Sequence, residues 1–153
     1  MRVLVVYESK YGNTKQVAET IVKGIQDAKG IETVLTECKD VDFNKIVDYD
    51  AILVGTPNHM GSPTRGMKKF VDKLGKLNLE GKQTAVFDTY IKNDFEKAVK
   101  KLENRIKEKV PGLKRIVPGL SIRVDGMKGP ISEGELPKCA EFGKKLAVQM
   151  KGE

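Results

Sequence analysis

The chain has 153 residues, 39% hydrophobic and 32% charged, which suits one compact domain over residues 1–153 with a single core. No apolar run approaches the roughly 20 residues of a membrane span, and the start lacks the apolar stretch and cleavage site of a secretion signal, so a cytoplasmic protein without membrane insertion is expected. The net charge is +7, Cys38 and Cys139 stand in no metal-ligand spacing and read as reduced thiols, and a single histidine, His59, argues against a His-based metal site.

The predicted elements alternate. Residues 2–7 form a β-branched apolar run. From Thr14 the pattern turns helical, with Val17, Ile21, Ile25 and Ala28 on one stripe and Gly30 as the stop. Residues 31–36 alternate like an outer strand, and residues 51–55 make a second buried run. Ser62 as cap and Pro63 in the first turn predict a helix with Met67, Phe70, Val71 and Leu74 inward. Residues 83–88 make a third buried run. Asn93-Asp94-Phe95-Glu96 then resembles a capping box ahead of the stripe Phe95, Val99, Leu102 and Ile106, ended by Pro111-Gly112. Residues 113–124 read as a fifth strand interrupted at Pro118-Gly119, by a bulge or into two pieces. A last helix spans about 135–150, with Cys139, Phe142, Leu146 and Met150 inward.

Strands flanked by helices imply an α/β fold with a parallel sheet covered on both faces. Right-handed crossovers give a three-layer, doubly wound domain of five strands in the order 2-1-3-4-5. Ligands of such sheets bind beyond the carboxyl ends of the strands, where the order reverses. The candidate site is therefore the loops after strands one, three and four: Glu8 to Thr14, Thr56 to Ser62 and Asp88 to Lys92. In the first, Ser9 and Thr14 supply hydroxyls and Gly12 lets the backbone curl. The amides of Gly12, Asn13, Thr14 and Lys15 open a helix, where free N–H groups and the helix dipole suit an anion. An ordinary strand-to-helix turn with a Thr cap is the plainer reading. Neither GxxxxGK[ST] nor GxGxxG is present, and the Gly55-Thr56 end of strand three lacks the acids of a phosphoacceptor receiver domain.

Ser9-Lys10-Tyr11-Gly12-Asn13-Thr14 resembles the FMN-phosphate loop of flavodoxins, [ST]-x-[TY]-G-x-T. Gly55-Thr56-Pro57-Asn58-His59-Met60-Gly61, followed by Met67-Lys68-Lys69-Phe70-Val71-Asp72, is similar to the G-[ST]-P-x-x-x-G…K-x-F-x-D pattern of flavodoxins and related FMN quinone reductases. Phe87-Asp88-Thr89 and Gly129-Pro130-Ile131-Ser132-Glu133-Gly134-Glu135-Leu136 resemble a branch of flavodoxin-domain proteins. The resemblance spans the chain in order. It implies FMN, its phosphate on Ser9, Tyr11, Gly12, Asn13 and Thr14, and its ring between Thr56–Gly61 and Asp88-Thr89-Tyr90, with Tyr90 stacking. The third loop departs from the usual Gly-x-Gly or Gly-Asp pattern. Asp88 there either meets the flavin or caps a turn, while His59-Met60 replaces the usual aromatic at the tip of the second loop.

The implied function is an electron-transfer carrier. Such a role needs no general acid or base, and the sequence holds no Ser/His/Asp triad, paired loop carboxylates or reactive cysteine constellation. The alternatives are an FMN-dependent NAD(P)H:quinone or ferric reductase, and a flavin-free interaction module. Residues 64–76 carry five Lys/Arg against Asp72, and residues 92–115 carry nine against Asp94, Glu96, Glu103 and Glu108. Such a basic excess is either a solvated helix face or a surface for acidic partners. Redox partners with acidic docking surfaces are expected, and the lack of interleaved aromatics argues against nucleic acid.

Overall fold

The structure is a computed structural model that describes residues 1–152; Glu153, the last residue of the expected domain, lies outside the described residues. The elements are β1 (Arg2–Tyr7), α1 (Asn13–Gln26), β2 (Glu32–Glu37), β3 (Ala51–Pro57), α2 (Arg65–Leu74), β4 (Gln83–Tyr90), α3 (Lys97–Lys109), β5 (Lys114–Arg115), β6 (Leu120–Arg123) and α4 (Leu136–Met150). Short 3-10 turns at Cys38–Asp40 and Phe43–Asp48 join β2 to β3. All strand pairs are parallel, in the order β2-β1-β3-β4-β5, with β6 also on β4.

The predicted fifth strand is two pieces sharing one edge position, so the sheet has six strands rather than five. Gln83 pairs with Lys114 but Phe87 pairs with Leu120, so the register slips by two residues between them. Gly119 lies between the two pieces, and a Cβ there would stand 2.5 Å from Val99 Cγ1.

Successive side chains of β1 point to opposite faces. Val3 and Val5 join Val17, Ile21, Ile25 and Leu146 under α1 and α4, whereas Leu4 and Val6 join Met67, Val71, Leu102 and Ile106 under α2 and α3. A strand covered on both faces must be apolar throughout, which is why residues 3–6 are an unbroken run. Each such side chain contributes about 1.5–3 kcal/mol on burial.

Three helix ends differ from expectation. α1 begins at Asn13 behind Gly12 and stops at Gln26, leaving Ala28 and Gly30 outside. α2 begins at Arg65, where the Thr64 hydroxyl accepts from Met67 N–H, so Ser62 is not the cap and Pro63 precedes the helix. α3 begins at Lys97 with no side-chain cap from its own start, so the Asn93 capping box does not form. Phe95 consequently lies outside the helix and its buried stripe.

Candidate functional site

Gly12 stands between β1 and α1 with φ +92°, a left-handed conformation that glycine adopts without strain, and a Cβ there would meet nothing within 4 Å. Its N–H donates to Ser9 Oγ at 3.0 Å, and the first helical bond runs from Gln16 N–H to the Gly12 carbonyl at 3.0 Å. The amides of Asn13, Thr14 and Lys15 therefore precede the helical ladder. No acidic residue or side-chain cap lies in that first turn. The start of α2 is different: Glu8 accepts from the Thr64 hydroxyl and lies against Gly66. The chain thus places its own carboxylate at the start of α2 and none in the first turn of α1. Thr14 turns inward, its hydroxyl 2.9 Å from that of Thr89, both buried. Asn13 faces Gly129, where a Cβ would come within 2.6 Å of Asn13 Oδ1. Lys10 and Tyr11 are exposed, with the Lys10 ammonium 5.4 Å from the Tyr11 ring centre.

The second loop is organised by Asn58. Its N–H donates to the Thr89 carbonyl at 2.8 Å, its Oδ1 accepts from Gly61 N–H at 2.7 Å, and its Nδ2 reaches the Asp94 carbonyl at 3.4 Å. His59 and Ser62 exchange backbone bonds around Met60 and Gly61, whose φ values of 54° and 79° suit a two-residue hairpin turn. Met60 at the tip is 92% exposed. Thr56 is buried, accepting from Thr64 N–H and donating to the Pro57 carbonyl. Pro57 closes β3 beside Thr89.

Asp88, Thr89 and Tyr90 belong to β4, so the third predicted loop begins only at Ile91. Asp88 is fully buried. Its Oδ2 accepts from Val99 N–H at 2.9 Å and its Oδ1 from the Ser121 hydroxyl at 2.6 Å. Of its two readings, the capping one fits: it caps the first turn of α3 from the sheet, and its oxygens are turned into the fold rather than toward a ligand. Burial pushes its carboxyl up to about 7, against the lowering effect of the Ser121 and Val99 bonds. Tyr90 is half-buried, and its ring meets that of Phe95 edge-on at 5.5 Å. Burial, then the charge of Glu135, raises the Tyr90 hydroxyl.

Phe95 and Met127 are exposed at this end of the fold and were not among the site residues expected from the sequence. Phe95 stands four residues before Val99, so it imitates a helix stripe, and no periodic signal marks Met127. Together with Tyr11 and Met60 they are exposed large apolar side chains on the loops that follow β1, β3, β4 and β6. Tyr11 Oη lies 4.0 Å from Met127 Sδ. Two concavities of the surface lie elsewhere, one by Gly75, Glu80 and Pro111 and the other by Thr36, Asp42 and Tyr49. Among the described residues there is no His/Cys/Asp/Glu group that could hold a metal ion, and no helix long and apolar enough to cross a membrane.

The flavodoxin family model matches residues 5–134. The chain belongs to the flavodoxin family. Proteins of this family bind FMN as cofactor. A flavodoxin from Clostridium saccharobutylicum is 34% identical over 89 residues, 58% of this chain and 56% of that protein. One from Aquifex aeolicus is 33% identical over 91 residues, 58% of this chain and 49% of that protein. The matched stretch thus spans about half the length of these curated relatives. The solved structure of a flavodoxin from the domain Archaea superposes with a TM-score of 0.84 at 29% identity, covering 99% of each chain. This flavodoxin-family member thus has its sheet order, its acid-free α1 start and its four exposed apolar side chains at one end of the fold.

Proposed function

We propose that this chain, acting as a single cytoplasmic domain, holds FMN across the loops at the carboxyl end of the sheet and carries electrons between redox proteins. One observation carries the reading: an acid-free helix start, open at Gly12, lies at the same end of the sheet as the exposed Tyr11, Met60, Phe95 and Met127. That pairing suits a ligand with a phosphate at one end and a flat apolar ring at the other.

The roles divide by loop. Ser9, Gly12, Asn13 and the amides of Thr14 and Lys15 would receive the phosphate with neutral donors, while the Thr14 hydroxyl braces α1 against β4 through Thr89. Asn58 holds the second and third loops together, so the ring would lie between Met60 and the Tyr90–Phe95 pair. His59, Gly61, Thr56 and Pro57 shape the turn that presents Met60. Bound FMN supplies the electron-accepting chemistry. The protein needs no proton donor for it, and the fully buried Asp88 carboxylate is committed to α3. Lys10, Lys92 and Lys128 on these loops, and Lys15 in the first turn of α1, are exposed and fit a redox partner with an acidic docking surface.

The test is a visible absorption spectrum of the purified protein after FMN is added and excess removed. Retained flavin bands are expected. Gly12→Val, which forces a β-branched residue into the left-handed region, is expected to weaken retention by about tenfold or more through loss of charge-assisted amide bonds. A protein that retains no flavin would sink the reading.

A further inference from the structure

Asp88 sits two residues before Tyr90 on β4, and its carboxylate governs the loop that follows. Oδ2 accepts from Val99 N–H in the first turn of α3. Oδ1 accepts from the Ser121 hydroxyl, whose oxygen in turn accepts from Glu96 N–H at 2.9 Å. The loop from Ile91 to Glu96 is thereby tied down at its far end. It needs the tie, because Lys92 and Glu96, neither of them glycine, have φ values of 56° and 62°. Side chains are held in that region only when the surroundings dictate it. The loop carries Phe95, whose ring packs edge-on to Tyr90.

The charged carboxylate and the neutral acid suit this network differently. Both oxygens face donors, so the charged form satisfies both arms at once. A proton on Oδ2 would meet the Val99 N–H, which cannot reverse. A proton on Oδ1 requires the Ser121 hydroxyl to turn round and leave its own hydrogen without this acceptor. The neutral form therefore weakens one arm of the tie. The charged groups facing Asp88 oppose the charge: Asp94 and Glu96 are both acidic, and Tyr90 stands two residues along the same strand. From the flanking strands, Thr56 of β3 and Ser121 of β6 are neutral. Burial and these like charges oppose ionisation while the two hydrogen bonds favour it, which leaves the group poised near neutral pH.

We propose that Asp88 is a positioning residue whose charge holds the loop 91–96, and Phe95 with it, in the ligand-ready arrangement, so that FMN affinity follows the ionisation of this one buried carboxylate. The inference rests on the FMN reading above. By reciprocity, bound FMN would favour the charged form of Asp88 to the same degree.

The experiment compares the wild type with Asp88→Asn, which keeps an acceptor for Val99 but does not titrate. FMN is titrated by fluorescence at pH 5.5 to 8.5, and backbone amide shifts of Glu96 and Val99 are followed over the same range without FMN. The phosphate of FMN titrates in this range too, but equally in both proteins. The expected result is a wild-type affinity that falls toward acid pH by about five-fold more than that of the Asn variant. The two amides should titrate together in the wild type only. Should the Asn protein not fold, Ser121→Ala serves: it removes a bond that favours the charge, so the wild-type midpoint should move to higher pH. Parallel affinity profiles in the two proteins, or amides that do not titrate, would overturn the proposal. Titrating amides in a protein that binds no FMN at any pH would instead overturn the functional reading and leave the tie to α3 supported.

Discussion

Gly12 and Gly129 both bear on the loop proposed to hold the FMN phosphate, and each is needed for a different reason. Gly12 has open space where a Cβ would go, so its requirement is conformational, whereas a Cβ at Gly129 would strike Asn13 Oδ1 at 2.6 Å. Gly129→Ala is therefore expected to displace Asn13 and weaken FMN binding while secondary structure persists, a separation that fluorescence titration and circular dichroism would report together. Asp88 has a stability signature of its own. Its carboxyl lies near 7 in the folded protein, above the ordinary value of 3.8. Between those values the folded chain binds more protons than the unfolded one, so this group's contribution falls as pH rises through the window and is level above about 7. Wild type is thus expected to lose stability relative to Asp88→Asn from pH 4.5 to 7.5, by at most about 4 kcal/mol. Urea midpoints at both pH values would measure it, and an unchanging difference would contradict the burial argument.

Between elements, α1 packs closely against α4. A Cβ on Gly24 would stand 2.2 Å from the Ala140 carbonyl oxygen, and one on Gly143 the same distance from that of Ile21. These neighbours are backbone and cannot swing aside, so Gly143→Ala must part the helices. An overpacking cost of about 3 kcal/mol outweighs the roughly 1 kcal/mol gained in helix propensity. A net loss near 2 kcal/mol in urea unfolding is expected. Elements of this kind were legible in the sequence wherever a local pattern set them. The apolar runs at 3–6 and 51–54 announce strands buried on both faces, and the stripes Val17-Ile21-Ile25 and Val99-Leu102-Ile106 announce helices over them. The loops at the strand ends followed from the strand order. What was not legible depends on contacts between distant residues. The Asn93 box fails because α3 is capped by Asp88 from a strand, and Thr64 displaces Ser62 as the cap of α2 with Glu8 accepting from its hydroxyl. Phe95 was misread for the same cause, since only the displaced start of α3 frees it to face Tyr90.

Over the whole molecule, charge is segregated. Helices α2 and α3 lie side by side, joined by the two-pronged Arg105–Asp72 pair at 2.9 and 2.7 Å. Residues 64–76 and 92–109 together hold twelve Lys/Arg against five acids, an excess equal to the chain's entire net charge of +7. Four of those acids are already paired, Asp72 with Arg105, Asp94 with Lys97, Glu96 with Lys100 and Glu103 with Arg115. Lys69 and Lys101 are exposed and belong to none of these pairs. The starts of both helices adjoin the loops that bear Met60 and Phe95, so the positive field extends to the site where electrons would leave. Exposed charges act over a screening length of about 8 Å at physiological salt, and steering of this kind raises encounter rates by about ten-fold or more at low salt. Electron transfer from the FMN-loaded chain to an acidic redox protein, followed by stopped flow, is therefore expected to slow about ten-fold as salt rises from about 20 to 500 mM. The double substitution Lys69→Glu with Lys101→Glu should reproduce most of that loss at low salt and little of it at high salt. A rate indifferent to salt would mean that the basic helices are a solvated face and that docking relies on the apolar side chains alone.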